Sequence, residues 1–134
     1  MSFEYFHQCV SSGFPGLCIT RKTPYEIVSK YDLGGAEYRN IEGEAGYRPI
    51  NPQDLGQIEN AIEEFATENE KPVFLIDGFD YLIALNSIDK VMGFLERIRH
   101  TLEEHGGSLL TSLDLGTFNS RESTRIATCF DEVK

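Results

Sequence analysis

The stretch Val73-Phe74-Leu75-Ile76-Asp77-Gly78-Phe79-Asp80-Tyr81-Leu82 decides the fold of this chain. Its four leading apolar residues predict a strand that is buried on both faces, as in the centre of a parallel sheet. Asp77 then falls at the carboxyl end of the strand, which is the edge where open α/β sheets place their ligands. The sequence therefore predicts an α/β domain with a candidate site at Asp77.

Strand-like and helix-like segments alternate on both sides of this stretch. Further strands are predicted at Leu17–Thr20, Glu37–Ile41 and Leu109–Leu113, and helices at Ser2–Ser12, from Thr23 until Gly34, from Asn51, at Ile88–His105 and at Ser120–Val133. Strands separated by helices indicate βαβ units, a mainly parallel sheet and helices on both of its faces. The pattern predicts a single domain over residues 1–134.

Three helix starts carry capping signals, and in the first of them Thr23 is expected to cap, with Pro24 at the first helical position and Glu26 completing a capping box. Asn51 is expected to cap its helix with Pro52 at the first helical position, and Ser87 is expected to cap the long helix that ends before Gly106. These caps fix where we expect the three helices to begin.

The charge and hydrophobicity of the chain exclude some classes of binding partner. The formal net charge of -10 repels nucleic acid and anionic membranes, and no apolar run reaches the ~20 residues that span a bilayer. Cys9, Cys18 and Cys129 are too scattered for a disulfide framework, which favours the reducing cytoplasm. We therefore expect a cytoplasmic protein that binds neither nucleic acid nor membrane.

Polar residues follow the predicted strands at the edge where their carboxyl ends meet. If the strands are parallel neighbours, Arg21 lies level with Asp77 and Asp114. One hypothesis is a small-ligand or anion site, and the other is an Arg-carboxylate pair that fixes the edge. Thr20 either assists such a site or hydrogen-bonds the backbone of its own turn.

Asp77 and Asp80 also suggest a magnesium site, because carboxylates bind hard cations, usually together with substrate phosphates. The sequence lacks the glycine-rich loop with a lysine that cradles phosphates. The favoured alternative is that Asp77 hydrogen-bonds the turn that Gly78 permits. We therefore expect no metal and no cofactor.

The sequence offers no catalytic arrangement. His100 and His105 are five residues apart, which does not fit the i, i+4 zinc pair of a helix, and no serine lies in a G-x-S-x-G elbow. No nucleophile-base pair is visible in the sequence, so we expect a protein that is not an enzyme and has no catalytic residues.

Two motifs resemble those of a known family. The segment Gly16-Leu17-Cys18-Ile19-Thr20-Arg21-Lys22-Thr23-Pro24 resembles the "GL-x-I-T-R-x-x-P" signature of the archaeal family called domain of unknown function 835, and Phe74 to Ile83 resembles its "LLDG-x-x-YLI" strand. Pro52-x-x-Leu55-x-x-Ile58, Asn86 to Leu102 and Ser120-Arg121-Glu122 follow in the same order. The resemblance implies a three-layer, RecA/Rossmann-like fold without a phosphate loop, found in signalling proteins or alone.

The resemblance supports two hypotheses for function. The first is a non-catalytic signalling or protein-interaction module that acts on a protein partner or on itself. The alternative is a small-ligand or nucleotide-binding domain that uses the strand ends. Relatives often have a strand before the first helix, so we expect a symmetric homodimer with Phe3, Phe6 and Val10 at its interface.

Overall fold

The computed structural model describes residues 2–20, 37–40, 51, 53–77, 79–112 and 121. The elements of these residues are, in chain order, α1 (Ser2–Ser11), β1 (Gly16–Thr20), β2 (Glu37–Asn40), α2 (Leu55–Glu68), β3 (Val73–Asp77), α3 (Phe79–Asn86), α4 (Ile88–His105) and β4 (Ser108–Ser112). The helix predicted from Thr23, and all but Arg121 of the one predicted from Ser120, lie outside the described residues.

The four strands form one parallel sheet in the order β2-β1-β3-β4. Ile19 of β1 is level with Ile76 of β3, and Ile76 is level with Thr111 of β4. The parallel sheet predicted from the apolar runs is therefore confirmed, and all its described carboxyl ends lie along one edge.

Helices pack on both faces of this sheet. Because side chains alternate along a strand, one face carries Leu17, Ile19, Phe74 and Ile76, which pack in a core with α2, α3 and α4. The other face carries Cys18, Val73 and Leu75, which pack against α1 through Phe6. Both faces of β3 are buried, as its continuous apolar run predicted.

The first helix, α1, is fixed closely to its own sheet. Phe6 is 0% exposed, and Val10 packs against the same cluster. A Cβ atom at Gly16 would lie 2.6 Å from Val10 Cγ2 and 2.8 Å from Phe6 Cζ, so only glycine allows this approach. The side chain of Phe6 is therefore covered by its own sheet, and the predicted dimer interface at or near α1 stays a prediction. The side chain of Phe3 lies outside the described residues.

The start of α2 differs from the prediction. Asp54, not Asn51, is the N-cap, and its side chain accepts a hydrogen bond from Gln57 N at 3.2 Å. Asn51 Oδ1 instead accepts from Gln53 N, and Asn51 O accepts from Asp54 N, both at 2.9 Å. Asn51 therefore forms a turn before the helix.

The ends of α4 agree with the prediction. Ser87 Oγ accepts a hydrogen bond from Lys90 N, and Gly106 ends the helix in the left-handed conformation at φ 68°. The short helix α3 between Asp77 and Ser87 was not predicted. Among the described residues, the helices are too short or too polar to cross a membrane.

Candidate functional site

The strand order creates one special position along the carboxyl edge. From β1 the chain passes to β2, which pairs with one edge of β1. It then crosses back to β3, which pairs with the other edge of β1. In open α/β sheets, ligands bind in the crevice outside the carboxyl ends of the strands where the order reverses in this way. Here that position lies between β1 and β3, which end at Thr20 and Asp77.

A hydrogen bond joins these two last residues. Thr20 Oγ1 donates to Asp77 Oδ2 at 2.8 Å. Thr20 is 1% exposed, whereas Asp77 is half-buried and so keeps access to solvent. A hydrogen bond to a charged group contributes about 1.5–3 kcal/mol, with the lower figures for groups that water still reaches. The structure thus brings together two predicted site residues that are 57 positions apart in sequence.

The same register extends a polar row along the edge. Thr20 is level with Asn40 of β2, and Asp77 is level with Ser112 of β4. Sequence analysis did not select Asn40 or Ser112, because the predicted strands ran one residue further, to Ile41 and Leu113. The four strand ends therefore present polar residue types along one edge of an otherwise apolar sheet.

The helix α3 begins directly after the site. Its first residue, Phe79, follows Asp77 by two positions and is 0% exposed, which anchors the helix in the core. A carboxylate close to a helix N-terminus is stabilised by the helix dipole, by about 0.3–1 kcal/mol. The structure places the N-terminus of α3 two residues after Asp77.

Three other predicted site positions are not placed by the structure. Arg21, Asp114 and the side chain of Asp80 lie outside the described residues. The hypotheses of an Arg21-carboxylate pair and of an Asp77-Asp80 cation site therefore stay predictions.

The described cysteines have the properties of core residues. Cys18 is buried in β1, and Cys9 packs against the cluster beneath α1. Burial raises the pKa of the Cys9 thiol above its ordinary value, so at neutral pH it stays protonated and is a poor nucleophile.

A concavity lies at the opposite edge of the sheet. It has a volume of about 400 Å³ and is formed where α2 and α4 end, with Glu68, Glu70, Lys71 and Glu104 among its lining residues. The side chains of these four residues are exposed. This open, charged groove lies near the amino end of β3, whereas Thr20 and Asp77 lie at the carboxyl ends of β1 and β3. The groove and the candidate site are therefore separate.

Comparison with known proteins identifies the family. A family model described as a protein of unknown function, DUF835, matches residues 1–130. The chain belongs to the DUF835 family. This confirms the family predicted from the two sequence motifs, and it places Thr20 and Asp77 inside the segment that the DUF835 model covers.

The DUF835 chain also resembles part of two curated proteins. These are the DNA ligases of Limosilactobacillus reuteri strain DSM 20016 and of Limosilactobacillus reuteri subsp. reuteri strain JCM 1112, each 34% identical over 110 residues. The match covers 73% of this chain and 16% of each ligase. The chain therefore spans about one sixth of the length of these relatives.

Proposed function

We propose that this DUF835 protein is a non-catalytic module that binds a small ligand at the carboxyl edge of its sheet, between β1 and β3. The observation that carries the proposal is the Thr20-Asp77 hydrogen bond at the point where the strand order reverses. A buried donor there orients a half-exposed carboxylate toward the edge. Such an arrangement supplies a fixed polar group for a ligand to meet.

The same contact bears on catalysis. A hydroxyl beside a carboxylate is a nucleophile-base pair in outline, and sequence analysis did not predict it. Thr20 is only 1% exposed, so its oxygen is not accessible to a substrate carbonyl or phosphate. Burial of the hydroxyl therefore supports binding and not nucleophilic chemistry.

A thermal-shift screen tests this proposal. The panel contains cationic, neutral and anionic metabolites, and it is run on wild type, Asp77→Asn and Glu64→Gln, each against its own baseline. Glu64 is exposed on α2, so its substitution removes the same charge away from the site. A ligand at 100 times its dissociation constant stabilises the folded state by about 2.7 kcal/mol.

We expect at least one compound to stabilise wild type and Glu64→Gln alike and to lose its effect in Asp77→Asn. If every stabilising compound acts equally on all three proteins, or if none stabilises wild type, the proposed ligand site is wrong.

A second candidate function is a signalling or protein-interaction module, and exposed aromatic residues on α1 and just after it favour it. Tyr5 is 55% exposed and Phe14 is 42% exposed. Phe14 N donates to Cys9 O at 3.1 Å, so the backbone of Phe14 is fixed to the end of the helix that carries Tyr5. Under this candidate function, the protein is a RecA-like scaffold that forms a symmetric homodimer.

Light scattering at micromolar concentration tests the dimer. Because Phe6 is in the core, the informative variant is Tyr5→Ser with Phe14→Ser, which leaves the core unchanged. A dimer mass in wild type that falls to a monomer mass in the variant supports this candidate. A monomer mass in wild type contradicts it.

The likeness to DNA ligases adds no ligase activity to the proposal, because the shared segment is 16% of each ligase. The net charge of -10 opposes contact with a phosphate backbone. We therefore propose a cytoplasmic module whose partners are small molecules or proteins, without nucleic acid or membrane.

A further inference from the structure

The hydrogen-bonding capacity of the Thr20-Asp77 pair limits what a ligand at this site has to offer. A threonine hydroxyl has one proton, and Thr20 donates it to Asp77 Oδ2 at 2.8 Å. An ionised carboxylate accepts hydrogen bonds and donates none. The pair therefore has no side-chain proton left for a ligand.

Acceptor capacity remains on the carboxylate. Its two oxygens have about four lone-pair sites, and within the part of the chain that the structure describes the hydrogen bond from Thr20 uses one of them. The bond from a buried residue also fixes the orientation of the half-exposed carboxylate. The pair thus presents a fixed, negatively charged acceptor, with Thr20 as a positioning residue.

We infer that this site binds the ammonium group of a small organic amine. An ammonium group supplies three donors and a positive charge, which complement a carboxylate that only accepts. The protein's net charge of -10 raises the local concentration of cations and lowers that of anions. The inference rests on the proposed function and adds the chemical class of its ligand.

The ligand classes that compete with an ammonium group are chemically distinct. A phosphate or carboxylate would meet Asp77 with like charge and without a proton from Thr20. A divalent cation prefers six or more oxygen ligands, so its occupancy requires several groups besides Asp77. These alternatives become arms of the test.

Isothermal titration calorimetry of the full chain separates the amine from these competing ligands. The salt concentration is ~150 mM, an ionic strength that screens exposed charges. The organic probes have the same four-carbon chain: putrescine with two ammonium groups, 1,4-butanediol with two hydroxyls, and succinate with two carboxylates. Magnesium chloride is titrated alone as the metal arm. We expect putrescine to saturate one site and to bind at least tenfold more tightly than the diol or succinate.

Variants assign the binding to the site. Asp77→Asn should weaken putrescine binding at least tenfold, whereas Glu64→Gln should change it less than twofold. Thr20→Val should weaken it severalfold and Thr20→Ser should restore it, because serine keeps the hydroxyl. Circular dichroism checks that each variant is folded, and the probe comparison on wild type stands without any variant.

Three results would overturn the inference. If succinate or magnesium binds more tightly than putrescine and this binding is lost in Asp77→Asn, the inferred ligand class is wrong but the proposed site is kept. Equal weakening of putrescine by Asp77→Asn and Glu64→Gln reduces the binding to general charge attraction. If putrescine does not bind, but the thermal-shift screen finds a compound whose effect depends on Asp77, the amine is rejected and the proposed function is kept.

Discussion

At the residue scale, the contact between Thr20 and Asp77 is a polar pair that directly follows apolar neighbours. Ile19 and Ile76, the residues before them, are both 0% exposed. A carboxylate at this position needs a donor because burial without one is costly. The hydroxyl of Thr20 therefore contributes to stability as well as to the geometry of the edge.

We predict that Thr20→Val lowers the free energy of unfolding by about 1–3 kcal/mol, since it leaves the half-buried carboxylate without its donor. Thr20→Ser should lose less, because it removes a methyl group and keeps the hydrogen bond. Urea denaturation measures both. A double-mutant cycle with Asp77→Ala, which removes the acceptor, should give a coupling energy of about 0.5–3 kcal/mol, and a coupling near zero contradicts the contact.

At the element scale, the junction of α3 and α4 holds a strained residue. Ser87 has φ 80° and ψ 152°, a region that is otherwise almost confined to glycine. It also caps α4, although its 3.5 Å distance to Lys90 N is long for a hydrogen bond. Strain and a weak cap therefore act in opposite directions at one position.

We predict that Ser87→Gly is more stable than Ser87→Ala. The alanine variant loses the cap, at a cost of about 0.5–2 kcal/mol, and keeps the strain. The glycine variant relieves a strain of about 1–3 kcal/mol and is itself an acceptable N-cap. Chemical denaturation of the two variants checks this order, and a glycine variant no more stable than the alanine variant contradicts it.

The packing of α1 on the sheet gives a second prediction at this scale. Gly16→Ala should destabilise the fold by about 1–3 kcal/mol, because the new Cβ would lie 2.6 Å from Val10 Cγ2 and 2.8 Å from Phe6 Cζ. Hydrogen exchange of the α1 amides should accelerate in this variant. Gly93→Ala in α4 is the matched control, since its nearest contact is 3.4 Å away and alanine favours a helix. Equal stability of the two variants contradicts the tight contact.

Element positions followed from the sequence where one physical signal dominated. The apolar run of β3 and the Ser87 and Gly106 signals of α4 gave correct elements because burial and capping agreed. The predicted start of α2 was too early in the sequence. Asn51 and Asp54 are both good caps, and the buried face of the helix begins only at Leu55. The helix α3 was missed because its first seven residues are almost all apolar and lack a clear helical period.

The candidate site was predictable only in part. A polar residue at the end of an apolar strand identified Thr20 and Asp77 separately. Their hydrogen bond depends on β1 and β3 being neighbours, and local sequence does not contain that information. The burial of Phe6 has the same origin, since an amphipathic α1 fits a partner chain and its own sheet equally well until the topology is known.

At the scale of the whole molecule, the sheet order and the net charge act together on ligand choice. The order places the candidate site at the carboxyl edge, and 22 acidic against 12 basic residues surround the molecule with negative charge. A fold that places ligands at this edge is common among nucleotide-binding proteins. The charge and the acceptor character of Asp77 oppose a polyphosphate there.

We therefore predict that the protein neither hydrolyses ATP nor binds it tightly. The sequence has no glycine-rich loop with its lysine to cradle phosphates, and Thr20 has no proton to donate to a phosphate oxygen. Calorimetry with ATP and magnesium should give a dissociation constant weaker than about 1 mM, or less than about 4.1 kcal/mol of binding free energy. If charge repulsion limits the binding, added salt should strengthen it slightly, whereas polyphosphate sites lined with cations weaken in salt. Micromolar affinity, or phosphate release above the buffer rate, would show that residues outside the described ranges build a phosphate site that the sequence motifs do not predict.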